Sequence, residues 1–258
     1  MATTNATLPL AGARVFVSGA SSGIGRAIAL ATARAGADVV LTYRANERGA
    51  RDAAREVESL GRRARVVRLD LTDAASIAAL GGAVRSAFGG VDVWVNNAGA
   101  DVLTGPGATL STTEKLDLLL RVDLRGTVLA SWQAADLMAE QDSGGVIINM
   151  SWDHVLTGMA GVEAQLFSAV KGGVMAFSKS LARTVAPTIR VNTLAPGWIE
   201  TAYGTDVDDT IRRQVTASTP LARWGTPDDV ATAVVYLASP AASFVTGQTM
   251  LIGGGVVM

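Results

Sequence analysis

The feature that most constrains this chain is the rhythm of its apolar segments. Short β-branched runs alternate with longer amphipathic stretches along almost its whole length, the signature of repeated strand–helix–strand units and a parallel sheet. The runs predict strands at Arg14–Ser18, Asp38–Tyr43, Ala64–Leu69, Val91–Asn96, Val146–Met150 and Ile189–Leu194, with a short last one near Thr249–Ile252. Helices fit between them at Gly23–Ala35, Glu47–Leu60, Asp73–Phe88, Thr113–Ala139, Leu166–Val185 and Pro227–Leu237. The last has clear start chemistry: Thr226 as cap, Pro227 at the first helical position, then Asp228 and Asp229 at the positive end of the helix dipole. Two stretches have no clean period. Ala100–Ser111 is a Gly/Pro-punctuated loop, and Ile199–Thr219 is a polar segment of the kind that forms a mobile lid. The expected architecture is α/β: three layers, doubly wound on a mostly seven-stranded parallel sheet, as one domain over residues 1–258.

Composition supports a buried sheet and removes several function classes. Of 258 residues, 49% are hydrophobic and 17% charged, which is ample for a core covered on both sides. A formal net charge of −1, with both signs interspersed, leaves no electrostatic footprint for nucleic acid or an anionic membrane. No apolar run is long enough to span a bilayer, and Met1–Thr7 lacks the charged-then-apolar pattern of a secretion signal. A cytoplasmic protein is expected. With no cysteine and a single histidine, disulfides, a thiolate nucleophile and a structural zinc site all drop out.

The first predicted strand runs through Ser18-Gly19-Ala20-Ser21-Ser22-Gly23-Ile24-Gly25 straight into the first helix. Glycines there let the backbone turn tightly and approach a pyrophosphate, whose charge sits on free N–H groups at the helix N-terminus. A Gly-rich turn is common by itself, but its place between the first strand and first helix of a Rossmann fold points to a dinucleotide. The form of that dinucleotide is decided at the end of the second strand, where an acid would bond the ribose 2′-hydroxyl and an arginine would pair with a 2′-phosphate. Tyr43 stands in the acid's place and Arg44 follows it. NADP(H) is therefore preferred, with NAD(H) the alternative and a solvated loop charge the bland reading of Arg44.

With these motifs in view the chain resembles the short-chain dehydrogenase/reductase family over essentially its whole length. The family's TGxxxGxG turn is matched by Ser18 through Gly25, with Ser in place of Thr. Its NNAG is matched unchanged by Asn96-Asn97-Ala98-Gly99, and its Pro-Gly segment by Asn192 through Thr201. The resemblance implies a cofactor site built from Gly19, Ser21, Ser22, Gly23, Ile24, Gly25, Arg44, Asp70, Leu71, Asn97, Ala98, Gly99, Lys171, Pro196, Gly197, Ile199 and Thr201. Asp70 would hold the adenine amino group and Lys171 the ribose. It also implies a homotetramer or homodimer, joined through the long fourth and fifth helices.

The match breaks at the chemical centre. The family uses a Tyr-x-x-x-Lys pair with an upstream Ser and an Asn, the tyrosine passing a proton to or from the substrate oxygen. Here Lys171 is present, but Phe167 sits where the tyrosine belongs and has no hydroxyl. Ser168 is about 100° around the helix and cannot simply substitute. Trp152 occupies the serine's usual place, with Ser151 one residue early, and Asp123 replaces the asparagine. Three polar residues remain to supply the proton path: Asp153, His154 and Asp123. Histidine titrates near neutrality, and Asp153 beside Trp152 can be desolvated. The plain alternatives are a turn at the strand's end for Asp153 and His154, and a structural partner of Lys171 for Asp123. The candidate catalytic set is thus Lys171, Asp153, His154, Ser151 and Asp123, with Trp152, Phe167, Trp198 and Met159 as an apolar wall. The expected function is an NADP(H)-dependent oxidoreductase acting on a small-molecule substrate with a non-standard proton path, reducing C=N or otherwise activated bonds. The alternatives are a dinucleotide-binding sensor or partner protein, or a lyase or isomerase using the same cleft.

Overall fold

The computed structural model describes residues 8–201 and 207–258. Its sheet has seven strands: β1 (Arg14–Val17), β2 (Asp38–Tyr43), β3 (Ala64–Arg68), β4 (Val93–Asn96), β5 (Gly145–Met150), β6 (Ile189–Pro196) and β7 (Thr249–Ile252). Their order is β3-β2-β1-β4-β5-β6-β7 and every neighbouring pair is parallel. The order reverses between β1 and β4, and the crevice outside the carboxyl ends of those strands is where such sheets bind ligands.

Strand residues alternate between two cores. Val15 and Val17 of β1 and Val93 and Val95 of β4 face one side, packed under α1 (Gly23–Arg34), α2 (Glu47–Ser59) and a C-terminal helix at Pro227–Ala238. Phe16 and Trp94 face the other side, where they stack at 3.9 Å beneath the helices that follow β3, β4 and β5. The two rings are register neighbours across β1 and β4, so strand pairing itself brings them together.

Several predicted elements have different edges. The helix expected at Asp73–Phe88 divides at Ala79 into α3 (Ala74–Ala78) and α4 (Leu80–Phe88). The loop Ala100–Ser111 contains a single turn, α5 (Gly105–Ala108). The helix expected at Thr113–Ala139 is α6 (Thr112–Leu119) and α7 (Thr127–Ala139), joined by a π-helical stretch at Leu120–Gly126. An apolar period does not reveal such widening, because a seven-residue stretch is too short to separate a π-helical period from an α-helical one. α8 begins a turn earlier than expected, at Val162–Val185, started by Gly161 at φ 118° and held by Glu163 bonding Lys115 at 3.1 Å. Within the expected lid, α9 (Asp209–Ser218) is formed, while residues 202–206 lie outside the described residues. α10 (Pro227–Ala238) carries the expected cap as a full box. Thr226 Oγ1 accepts from Asp229 N–H at 3.2 Å, and Asp229 Oδ2 accepts from Thr226 N–H at 2.7 Å.

A buried polar chain fixes the helices that carry the site. Trp94 Nε1–H donates to Asn96 Oδ1, Asn96 Nδ2–H to Ser131 Oγ and Asn149 Oδ1, and Asn149 Nδ2–H to Ser178 Oγ, at 2.8–2.9 Å. It ties β4 and β5 to α7 and α8, and buried groups so satisfied specify one arrangement. Among the described residues no helix is long and apolar enough to cross a membrane.

Candidate active site

The turn after β1 is a cradle that side chains cannot share. Gly19 has φ +66°, and a Cβ there would lie 2.9 Å from Ala98 Cα; one on Gly25 would lie 2.2 Å from Gly19 O. β1 and the loop after β4 are therefore in backbone contact, and the first turn of α1 folds tightly against both. Ser18 locks this arrangement, its Oγ accepting from the N–H groups of Asn97 and Ala98, each at 2.9 Å. Asn97 Nδ2–H returns bonds to Ser18 O at 3.0 Å and Gly19 O at 3.3 Å. Thr42 Oγ1 accepts from Gly19 N–H at 3.1 Å. Ser18 and Thr42 were missing from the sequence-predicted set. Ser18 stood in the glycine motif, but nothing in the sequence showed its hydroxyl turning to the β4 loop.

From this cradle a cleft of about 750 Å³ runs outward, lined by Gly19, Ser21, Ser22, Arg44, Asp70, Leu71, Asn97, Ala98 and Gly99 together with Thr42, Tyr43 and the loop after Gly99. The residues that the motifs nominate for the adenosine and pyrophosphate are thus brought to one surface. Thr72, through its hydroxyl at 2.7 Å and its amide at 2.9 Å, holds the Asp70 carboxyl below the usual carboxylate range. Gly23 and Ile24 lie at the start of α1, and Gly25 is buried within its first turn. Thr201 reaches back to that turn, with its Cγ2 3.8 Å from where a Gly23 Cβ would be. Pro196 ends β6, Gly197 N–H donates to Ile252 O at 3.1 Å, and Ile199 bridges to Gly225.

Behind the loop after β4, Lys171 of α8 forms an ion pair with Asp123, Nζ to Oδ2 2.8 Å. Asp123 sits in the π-helical stretch, only 1% exposed, and its Oδ1 accepts from Ala100 N–H at 2.8 Å. One carboxylate therefore joins the β4 loop to the lysine. A Cβ on Gly99 would lie 2.9 Å from it. Ser151 turns its hydroxyl inward, donating to Lys171 O at 2.9 Å. It splints β5 to α8.

Asp153 and His154 form a short 3₁₀ turn with Val155 directly after β5, and both are buried. Asp153 Oδ1 accepts from His154 N–H at 2.7 Å and stands 2.6 Å from His154 Nδ1. Burial pushes the Asp153 carboxyl up, against the opposing pull of His154. Its Oδ2 is buried without a partner, pressed against Gly197 and Gly253, where Cβ atoms would come within 2.5 and 2.2 Å. Asp153 therefore faces the β6–β7 edge, away from any open space, while the imidazole lies among rings. Trp152 stacks on it at 5.0 Å and Trp198 meets it edge-on at 6.3 Å. Phe167 meets Trp152 at 6.2 Å, so the expected wall of Trp152, Phe167 and Trp198 is assembled. Met159 is 39% exposed. Trp224, not foreseen from the sequence, extends the wall, 5.5 Å from Trp198. Gly253 was missed as well, its signal being only a Gly-rich end to the chain.

A family model described as enoyl-(acyl carrier protein) reductase matches residues 19–257. The chain is 35% identical to 3β-hydroxysteroid dehydrogenase 1 of Eggerthella lenta, covering 96% of this chain and 95% of that one. It is 38% identical to cis-4-hydroxycyclohexanecarboxylate dehydrogenase of Sinomonas cyclohexanicum, covering 93% and 94%. The crystal structure of a short-chain dehydrogenase from Burkholderia cenocepacia in complex with NADP superposes with a TM-score of 0.86 at 31% identity, covering 96% of this chain and 99% of that one. A glycine cradle at the switch point of a seven-stranded parallel sheet, matched end to end by such relatives, places this chain in the short-chain dehydrogenase/reductase family of oxidoreductases.

Proposed function

We propose that this protein is an NADP(H)-dependent oxidoreductase whose proton path runs through His154 in place of a tyrosine, acting on C=N or similarly activated bonds of small apolar or cyclic substrates. The cradle fits a dinucleotide: Gly19 and Gly25 leave no room for side chains where a pyrophosphate approaches, and Arg44 offers a fork for a 2′-phosphate. When bound, the dinucleotide supplies or takes up hydride. Lys171 binds ribose in this reading, and Asp123 neutralises it and fixes its position.

The observation that carries the proton path is the buried Asp153–His154 contact beside the Trp152–Phe167 wall. With Nδ1 held by the carboxylate, Nε2 is the ring nitrogen left to hold or take a proton, an orienting role familiar from carboxylate–histidine pairs. Phe167, Trp152 and Trp198 exclude water around it. No hydroxyl stands at the place of the missing tyrosine. An imine suits such a site, because its nitrogen is basic enough to take a proton from an imidazole, whereas a ketone oxygen is not.

The test is turnover of a panel of cyclic imines and of simple ketones with NADPH and with NADH. Imines should be reduced with NADPH preferred, and ketones should be slower by roughly 10² or more, because a weakly basic ketone oxygen lacks the tyrosine hydroxyl that would serve it. Efficient turnover of ordinary ketones, or a preference for NADH, would overturn the reading. A second reading, a dinucleotide-binding protein without turnover, is favoured by Ser151 and Asp123 being engaged in structural contacts. It takes the lead if NADPH binds tightly and neither panel reacts. An assembly of two or four copies is supported by the face of α7 and α8, where Trp132 is 50% exposed beside Phe177.

A further inference from the structure

The stretch from β2 to β3 holds eight arginines, and three of them are neutralised by carboxylates. Arg51 pairs with Glu47, Arg55 with Asp52 and Arg63 with Asp38. Arg44 and Arg68, both exposed, form no ion pair among the described residues. These two are neighbours in space though far apart in sequence. The parallel register sets Arg68 opposite Tyr43, at the carboxyl edge of β3, one residue before Arg44 leaves β2. Arg68 Nε lies 3.5 Å from Arg44 O, which places its guanidinium alongside the backbone from which the Arg44 side chain springs. Tyr43, Arg44, Ala45, Asn46 and Asp70 line the cleft at this end. The charges of Arg44 and Arg68 both act on Asp70 and help hold its carboxyl down.

Arg44 and Arg68 rise from neighbouring strand ends and share a single carboxylate, Asp70, which leaves an excess of positive charge that a doubly charged phosphate can take up. We infer that Arg68 is a specificity-determining residue that clamps the ribose 2′-phosphate together with Arg44, entering from β3 where the sequence motif points only to β2. This rests on the NADP(H) reading and extends it to a residue no motif nominates. Arg68 contributes through its fork as well as its charge. Arg48 is the natural control: it is exposed and has no ion pair among the described residues, but its charge does not act on Asp70.

The experiment is calorimetric titration of the full chain with adenosine 2′,5′-bisphosphate and with adenosine 5′-monophosphate, which differ only in the 2′-phosphate. The wild type should favour the bisphosphate by roughly 10-fold or more, the effect of a charge-assisted contact. Arg68→Ala should cut that preference about fivefold while leaving the monophosphate affinity unchanged. Arg44→Ala should cut it at least as far, the double variant should abolish it, and Arg68→Lys should recover part, a point charge without the fork. Arg48→Ala should match the wild type. If Arg68→Ala keeps the full preference while Arg44→Ala loses it, the clamp is wrong and the NADP(H) reading stands. If Arg68→Ala weakens both nucleotides equally, Arg68 serves the adenosine pocket generally and the clamp is wrong. If the wild type binds both probes equally, the NADP(H) reading itself falls, and the clamp with it.

Discussion

The glycine cradle and the cluster around Lys171 and His154 are built from different materials. Around Gly19, Gly25, Asn97 and Ala98 backbone packs against backbone, through glycines that a Cβ would crowd out, and the Ser18, Asn97 and Thr42 side chains pin it there. Around Lys171 the contacts are side chain to side chain: Asp123 on the lysine, Asp153 on His154, rings on rings. Backbone donors cannot be exchanged by substitution, so that region reads as a standard nucleotide cradle. Side-chain chemistry is exchanged one residue at a time. Phe167, Trp152 and Asp123 can therefore alter the reaction while the fold and the cradle persist.

The largest expected effect separates the two regions outright. His154→Gln should lower kcat by roughly 10²–10⁴, as loss of a proton-transferring group does, with NADPH affinity by cofactor fluorescence unchanged. Wild-type turnover in this variant would remove His154 from the mechanism and move suspicion to Ser151 and Asp123. Asp153→Asn should lower kcat by less, since its carboxylate acts through the imidazole.

Next comes the carboxylate that links the β4 loop to Lys171. Asp123→Ala leaves the Lys171 ammonium, 12% exposed, without its partner, and should cost about 3 kcal/mol of stability. Asp123→Asn should cost less, because it still offers an acceptor to Ala100 N–H. Urea denaturation of both variants checks the order; equal midpoints would mean that the ion pair contributes nothing.

A smaller effect tests the support beneath the aromatic wall. Arg223, bonding Asp229 at 2.7 and 2.9 Å, holds that carboxyl well below its ordinary range. A depressed folded-state pKa contributes stability above the unfolded value, and that contribution is lost as pH falls through the folded one. Asp229→Asn should therefore destabilise by about 1 kcal/mol near neutrality, a typical cap loss. The gap to wild type should close as pH drops below about 4. Thermal melts across that range would show a constant gap if the cap and ion pair do not matter.

The smallest expected effect is the most diagnostic of how far the cluster around Lys171 has diverged. Phe167→Tyr alone should leave ketone reduction near background, since Trp152 and Asp123 offer neither a hydroxyl nor an amide to work with the new tyrosine. Robust ketone turnover in that variant would show that a single side chain separates this site from the family's usual one.

Much of the architecture was legible because strand and helix periods are local. Asp38–Tyr43 and Thr249–Ile252 form as their β-branched runs predict, and the Thr226–Asp229 cap forms as its spacing predicts. The departures fall where long-range contacts act on a local pattern. The π-helical stretch at Leu120–Gly126 coincides with Asp123 reaching both Ala100 and Lys171. The early start of α8 coincides with Glu163 meeting Lys115 across 48 positions.

By itself the sequence determined the sheet, the glycine cradle and the phenylalanine at position 167, four residues before Lys171. Residue type and short-range spacing carry that information, since only glycine fits a crowded positive-φ turn and phenylalanine has no proton to give. The tertiary structure decided which polar groups are spent on one another. It turned Ser151 to a carbonyl, closed Asp123 onto Lys171, buried Asp153 against Gly197 and Gly253, and set Arg68 beside Arg44. A hydrogen bond or ion pair depends on where two groups far apart in the chain are brought together, and that is fixed only when strands pair and helices pack.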